Sequence, residues 1–193
     1  VRIKINIFYL HPNPEECAKL HNDKHVVKMI LEYAQLLSTA HRFLDGTLSI
    51  GISNTGRKQT RYVLPNERDN ILYKSTHINH PSAVWVRQSR DNYAWLWHLL
   101  QAVCGEYTYR YGKVHKVERE GLLEQLRFIP AGIAEHPKFT EPTPAMPEEF
   151  KVSGNSVRSY INYYVGAKQH LASWKKREKP EWYNNAPISI KMQ

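Results

Sequence analysis

The chain has 193 residues, 41% of them hydrophobic, so it is long enough to bury a core and is not a disordered tail. A formal charge of +9 draws it to polyanions, nucleic acid before an anionic membrane surface or an acidic protein. Cys17 and Cys104, far apart and without CxxC spacing, exclude a disulfide framework and a thiolate zinc site, and they read as reduced thiols of a cytoplasmic protein.

In chain order, Ile3, Ile5, Ile7 and Tyr9 alternate with their neighbours and predict a short strand or extended arm over 3–9. Asn13 and Pro14, followed by Glu15 and Glu16, open a short helix to about Leu20. Asp23 caps a second, long helix that lasts to Asp45-Gly46. Residues 46–80 read as a polar loop region, with Gly46, Gly51 and Gly56, the basic residues Arg57, Lys58 and Arg61, and a short helix after Pro65. Pro81-Ser82 opens the next helical run, which continues with a kink near Ser89 to Gly112, and a further helix covers about 114–128. Its longest apolar stretch, from Trp95 to Cys104, is broken by His98 and Gln101, so no membrane span is expected. Pro130, Pro137, Pro142, Pro144 and Pro147 deny the following segment regular structure. Ser156 caps a last helix to about Arg177, and Pro180-Glu181-Trp182-Tyr183 begins an aromatic tail. The fold expected is mostly α: a single irregular helical bundle over 1–193, with a short N-terminal extended arm and loop insertions at about 46–80 and 130–150, the second Pro-rich. Structureless loops this long are uncommon in compact domains unless they serve a site.

The helix after Asp23 carries the most chemistry. Val26, Ile30, Tyr33, Leu37, Ala40 and Leu44 form one apolar ridge, and Val27, Met29, Leu31, Ala34 and Leu36 extend it most of the way round. What remains is a narrow polar stripe of His25, Lys28, Glu32, Gln35, Thr39 and Arg42. Two accounts fit it. One is a solvent-facing edge with a Lys28–Glu32 pair one turn apart; the other is a base, an amine and a carboxylate along a pocket wall, the equipment of acid–base chemistry. The following run repeats the design, with Arg87, Arg90, Asp91, His98 and Gln101 sharing a side with Ala94 and Gly105. Gly105 within a helix suggests close approach by backbone or ligand. Arg110, Lys113, His115 and Lys116 are interleaved with tyrosines, as a groove tracking a nucleic-acid backbone needs. Lys175, Lys176, Arg177 and Lys179 form a further basic cluster.

The pairs His21/His25 and His77/His80 raise the question of a transition metal with Glu32, but no HExxH pattern is present and no metal or cofactor is assigned. Residues 51–58 lack the Gly-Lys-Ser/Thr ending of a phosphate loop, and GxGxxG and GxSxG are both absent.

Three segments, 23–42, 76–87 and 106–113, resemble a family of proteins from tailed phages, notably T-even-like phages of cyanobacteria, a resemblance that brings no activity with it. A looser resemblance is to the pyrimidine-dimer DNA glycosylase (endonuclease V) family of such phages, whose members are small, basic and helical and end in an aromatic tail similar to Pro180-Glu181-Trp182-Tyr183. It implies an N-terminal α-amine as nucleophile beside a glutamate on the first long helix, places taken here by Val1 and Glu32. The present chain is longer, and its Pro-rich segment has no counterpart.

The expected function is therefore DNA repair or modification at a base or its N-glycosidic bond, with base flipping. Glu32, Lys28, His25 and Val1 are the expected catalytic residues. An α-amine, with an ordinary pKa of about 8 against about 10.4 for lysine, is the readier nucleophile, and Lys28 would need burial or a cationic neighbour such as His25 or Arg42. Arg42, Arg61, His77, His80, Arg87, Arg90, Arg110, Lys113, Trp182 and Tyr183 are the expected contacts to the partner, double-stranded DNA. Two other classes remain open: a non-catalytic nucleic-acid-binding phage protein, and a metal-dependent hydrolase or nuclease using His25, Glu32 and the His77/His80 pair.

Overall fold

The computed structural model describes residues 5–184. Its elements in chain order are α1 (Pro14–Leu20), α2 (Asp23–Asp45), a hairpin of β1 (Thr47–Ile52) and β2 (Lys58–Val63), α3 (Arg68–Ile71), α4 (Pro81–Arg87), α5 (Arg90–Tyr111), α6 (Lys116–Arg119), α7 (Leu122–Leu126), α8 (Ser156–Ala167) and α9 (Glu181–Asn184). The mostly helical class is as the sequence implies. Among the described residues no helix is long and apolar enough to cross a membrane.

The two long helices, α2 and α5, pack on each other, with α1 laid across α5 and α4 across α2. Each starts at a side-chain cap: Asn22 accepts the backbone N–H of His25, and Ser89 that of Asn92. The cap of α2 is thus Asn22 rather than Asp23, whose carboxylate instead meets Arg110 of α5 at 3.0 Å. Ser89 turns the expected kink into a break, so α4 and α5 are separate helices. Gly112 ends α5 in the left-handed region at φ 65°, where its N–H caps the Thr108 carbonyl.

Four expectations are corrected. Residues 5–10 make no strand and are buried on both sides of the alternation, because this arm threads the core. Part of the polar loop at 46–80 is a β-hairpin, whose register pairs Leu48 with Tyr62 and Ile52 with Lys58. The last long helix stops at Ala167 rather than near Arg177, and Asn155 caps it instead of Ser156. Gly105 is exposed, and a Cβ there meets nothing, so no close approach explains it.

The Pro-rich segment has no regular structure, and its backbone is satisfied by side chains of the bundle. Asn92 exchanges bonds with Thr140, Trp85 donates to the Thr140 carbonyl, Asn6 to Ala145 and Ser156 to Pro142. At its start, the Asp45 carboxylate accepts the N–H groups of Ala131 and Gly132 at 2.8 and 2.7 Å. Gly132 is required there, since a Cβ would stand 2.9 Å from the Asp45 carboxylate and 3.1 Å from the Leu44 carbonyl. The segment is therefore laid down as a fixed wall.

Candidate active site

That wall closes a cleft of about 500 Å³ between the N-terminal arm, the 77–81 turn and α8. Ile5 and Asn6, His77 and His80, Pro144 to Pro147, Lys151 and Tyr163 line it, a mixture of flat apolar surface and a few polar groups. His80 also caps α4 by accepting the Ser82 N–H. His77 sits in the left-handed region at φ 49°, which turns the chain into the cleft rim.

Behind Asn6 lies Glu32, only 3% exposed. Neither carboxylate oxygen has a hydrogen-bond partner of sound geometry among the described residues. The Lys28 ammonium lies 3.3 Å from Oε1 as an ion pair, and Lys28 itself remains half exposed. Burial raises the Glu32 pKa above the ordinary carboxylate range, opposed by Lys28, by the Asn6 backbone N–H and by Lys168. Lys168, at the end of α8, stands 4.9 Å over the ring of Tyr163, which ties this group to the cleft. Burial and the charge of Lys28 hold Lys168 below the usual lysine range. Nothing in the local sequence flags Lys168. Its charge acts on Glu32 only because α8 packs back on the arm, more than 130 residues away along the chain.

The stripe on α2 turns out inverted with respect to solvent. His25, Glu32, Thr39 and Arg42 are buried, while Val27 and Leu31 are 42% and 45% exposed. Burial pushes His25 down to about 2, so it is a neutral imidazole in the folded protein. Its ring stacks on Phe8 at 4.0 Å and its Nδ1 accepts the Tyr164 hydroxyl at 2.6 Å. It therefore supplies no positive charge to Lys28. Nor does Arg42, whose guanidinium donates to the carbonyls of Tyr62, Asp69, Leu72 and Tyr73 and to the Asp69 carboxylate. The cation beside Lys28 is Lys168.

Arg42 and Arg110, expected at phosphates, are spent inside the protein. Arg110 is 1% exposed and bonds Glu106, Asp23 and the carbonyls of Lys19 and His21. All five N–H donors of Arg42 and four of those of Arg110 are used, which leaves neither available to DNA. Arg61, Arg90 and Lys113 are exposed, and Arg87 is half-buried against Phe43. Trp182 packs edge-on to Tyr164 and Tyr183 against Trp174, so the aromatic tail, as far as Asn184, props the back of the His25 pocket. Val1 lies outside the described residues. His21 turns inward, with Nδ1 at the Cys17 carbonyl and Nε2 at the Tyr33 hydroxyl, each at 2.7 Å. It does not pair with His25 as a ligand set, and among the described residues no three His, Cys, Asp or Glu side chains converge as metal ligands do.

No curated protein and no solved structure matches the chain. Residues 5–119, which run from the arm through Glu32 to the end of α6, match the family described as pyrimidine dimer DNA glycosylase. The match leaves out α8 and Lys168 but takes in more than half of the 193 residues, and the chain belongs to the pyrimidine dimer DNA glycosylase family.

Proposed function

We propose that the protein excises damaged pyrimidines from double-stranded DNA by attack of an amine at the deoxyribose C1′, with Glu32 as the acid–base partner. The observation that supports this reading best is the Glu32 carboxyl itself: buried, ion-paired with Lys28 at 3.3 Å, in the field of Lys168, and reached by the backbone of Asn6, which lines the cleft. A carboxyl whose pKa burial raises above the ordinary carboxylate range is better suited than a free one to give and take a proton in turn.

The amine lone pair forms a bond to C1′ as the C1′–N bond of the base breaks, and the electron pair of that bond leaves with the base. Glu32 as carboxylic acid protonates the departing base; as carboxylate it then takes a proton from the newly attached nitrogen. The net transfer is one proton from amine to base. Opening of the sugar ring, the remaining N–H proton passing to its oxygen, leaves an imine between protein and DNA, and loss of a C2′ proton with departure of the 3′ phosphate then nicks the strand. The flat, Pro-lined cleft beside Asn6 and Tyr163 is of a size to hold an extrahelical base. Val1 is the nucleophile that the family resemblance implies, and Lys28 and Lys168 are the side-chain amines at Glu32.

Borohydride reduction during reaction with duplexes carrying an ultraviolet dimer or an abasic site tests the mechanism. A covalent adduct is expected, and mass spectrometry of the linked peptide identifies which amine carries it. Absence of an adduct on every substrate, together with activity lost to a chelator, overturns the reading in favour of metal-dependent hydrolysis.

A further inference from the structure

The β1–β2 hairpin stands away from the bundle with nearly every residue exposed. Between Gly46 and Asn66 there is no acidic residue, while Arg57, Lys58 and Arg61 are cationic. The register puts Leu48, Ile50 and Ile52 on one face with Lys58, Thr60 and Tyr62. Exposure along that face rises toward the tip, from 54% at Leu48 to 61% at Ile50 and 79% at Ile52. A two-stranded ribbon is marginally stable alone, and an apolar exposed one invites association, so its persistence calls for an occupant.

The same face leads back to the cleft. The Tyr62 ring lies 5.6 Å from Phe43, and the guanidinium of Arg87 lies 4.0 Å over the Phe43 ring. Arg87 in turn donates to the carbonyl of Ile78 at 2.6 Å, between the two histidines of the cleft rim. The path from His77 to the hairpin tip thus runs through Arg87, Phe43 and Tyr62, and the carboxylate beside it, Asp69 at the hairpin base, is taken up by Arg42.

We propose that this hairpin is an arm that lies along duplex DNA flanking the damaged nucleotide, its cations on phosphates and Ile50 and Ile52 in the groove. The proposal rests on double-stranded DNA being the substrate. Two-stranded ribbons fit the major groove, and apolar side chains on such arms also enter the minor groove, whereas an acidic protein partner would leave the isoleucines without a counterpart. From Glu32 to the end of α2 is roughly 20 Å, and the strands add up to about as much again. At about 3.4 Å per base pair, the arm would meet DNA roughly six to twelve pairs to one side of the lesion.

Anisotropy with undamaged duplexes of about 12 and 30 base pairs, over a salt series, tests this on the full chain. The wild type should bind the longer duplex at least tenfold more tightly. An Arg57→Ser/Lys58→Ser/Arg61→Ser variant should lose that advantage, with the slope of log K against log salt smaller by about two to three. An Ile50→Ser/Ile52→Ser variant should lose part of it, and it should nick a saturating short damaged duplex at the wild-type rate. Wild-type affinity and slope in the triple variant overturn the arm, as does a change in oligomeric state with DNA binding untouched. A wild type that nicks damaged DNA in those cases leaves the proposed function standing; one that neither binds nor nicks duplex DNA removes both.

Discussion

At Glu32 the fold opposes ionisation by burial and compensates it only in part, through Lys28, the Asn6 N–H and Lys168. The linkage follows from the direction of that shift. Below the ordinary glutamate value the carboxyl is protonated in both folded and unfolded chains. As pH rises through that value the unfolded chain ionises first, so the folded state binds more protons and stability falls until the raised native pKa is passed. Glu32→Gln removes this dependence and leaves no buried charge, at a similar shape. We expect the variant to gain stability relative to wild type as pH rises from 4 to 8. Its rate of base excision should fall by about 100- to 10,000-fold. Thermal melts across pH beside single-turnover assays check both halves. Loss of stability relative to wild type as pH rises, or a rate close to wild type, would make Glu32 a structural partner of Lys28.

The elements separate cations that build the fold from those free to meet DNA. Arg110 holds the start of α2 against the end of α5, and its replacement by Met leaves the buried Glu106 with Arg177 as its one cation and takes the donor from the carbonyls of Lys19 and His21. We expect Arg110→Met to cost about 3–5 kcal/mol in denaturant unfolding, yet to leave the salt slope of DNA binding unchanged; a flattened slope would put Arg110 at a phosphate after all. The sequence could not make this separation, because charge and position on a helix wheel do not say whether a guanidinium meets five protein acceptors or water. The extent of α2 was legible from its caps and its apolar ridge, and so were Lys28 and Glu32 as neighbours one turn apart. The inward side was legible too, since Val26, Ile30, Tyr33, Leu37 and Ala40 of that ridge are buried; what was not is that most of the polar stripe is buried as well, with its partners on distant segments: Tyr73 and Tyr62 for Arg42, Thr76 for Thr39, Tyr164 for His25. The hairpin left a signal that went unread, the alternation of Leu48, Ile50 and Ile52 before a turn at Gly56. Lys168 left none, because long-range packing alone brings it to the site.

Across the whole molecule, three histidines are held neutral in the interior. Burial lowers His21 to about 4, His25 to about 2 and His41 to about 4, each from an ordinary value of 6.5. Each also accepts a hydrogen bond at one ring nitrogen, as only a neutral ring can: from the Tyr33 hydroxyl at His21, the Tyr164 hydroxyl at His25 and the Arg68 guanidinium at His41, whose other nitrogen donates to the Tyr93 hydroxyl. These contacts lie at different places, along the arm and at both ends of α2, so acid attacks the bundle at several points together. Below pH 6.5 the unfolded chain takes up protons that the native interior refuses, hence the unfolded state binds more protons and stability falls as pH drops. At pH 5 each such histidine costs on the order of 2 kcal/mol, and three together approach the stability of an ordinary domain. Glu32, whose native pKa is raised, works in the opposite sense but is a single group. We therefore expect stability to be nearly flat between about pH 7 and 8 and to fall steeply between pH 6.5 and 5, with close to three protons taken up per molecule on unfolding. Denaturant titrations at half-unit pH intervals measure that slope directly. A His41→Gln variant, distant from the Glu32 cluster, should reduce the uptake by about one proton while leaving the pH dependence of DNA nicking unchanged. A slope below one proton in the wild type would mean that these rings open to water and protonate within the folded protein.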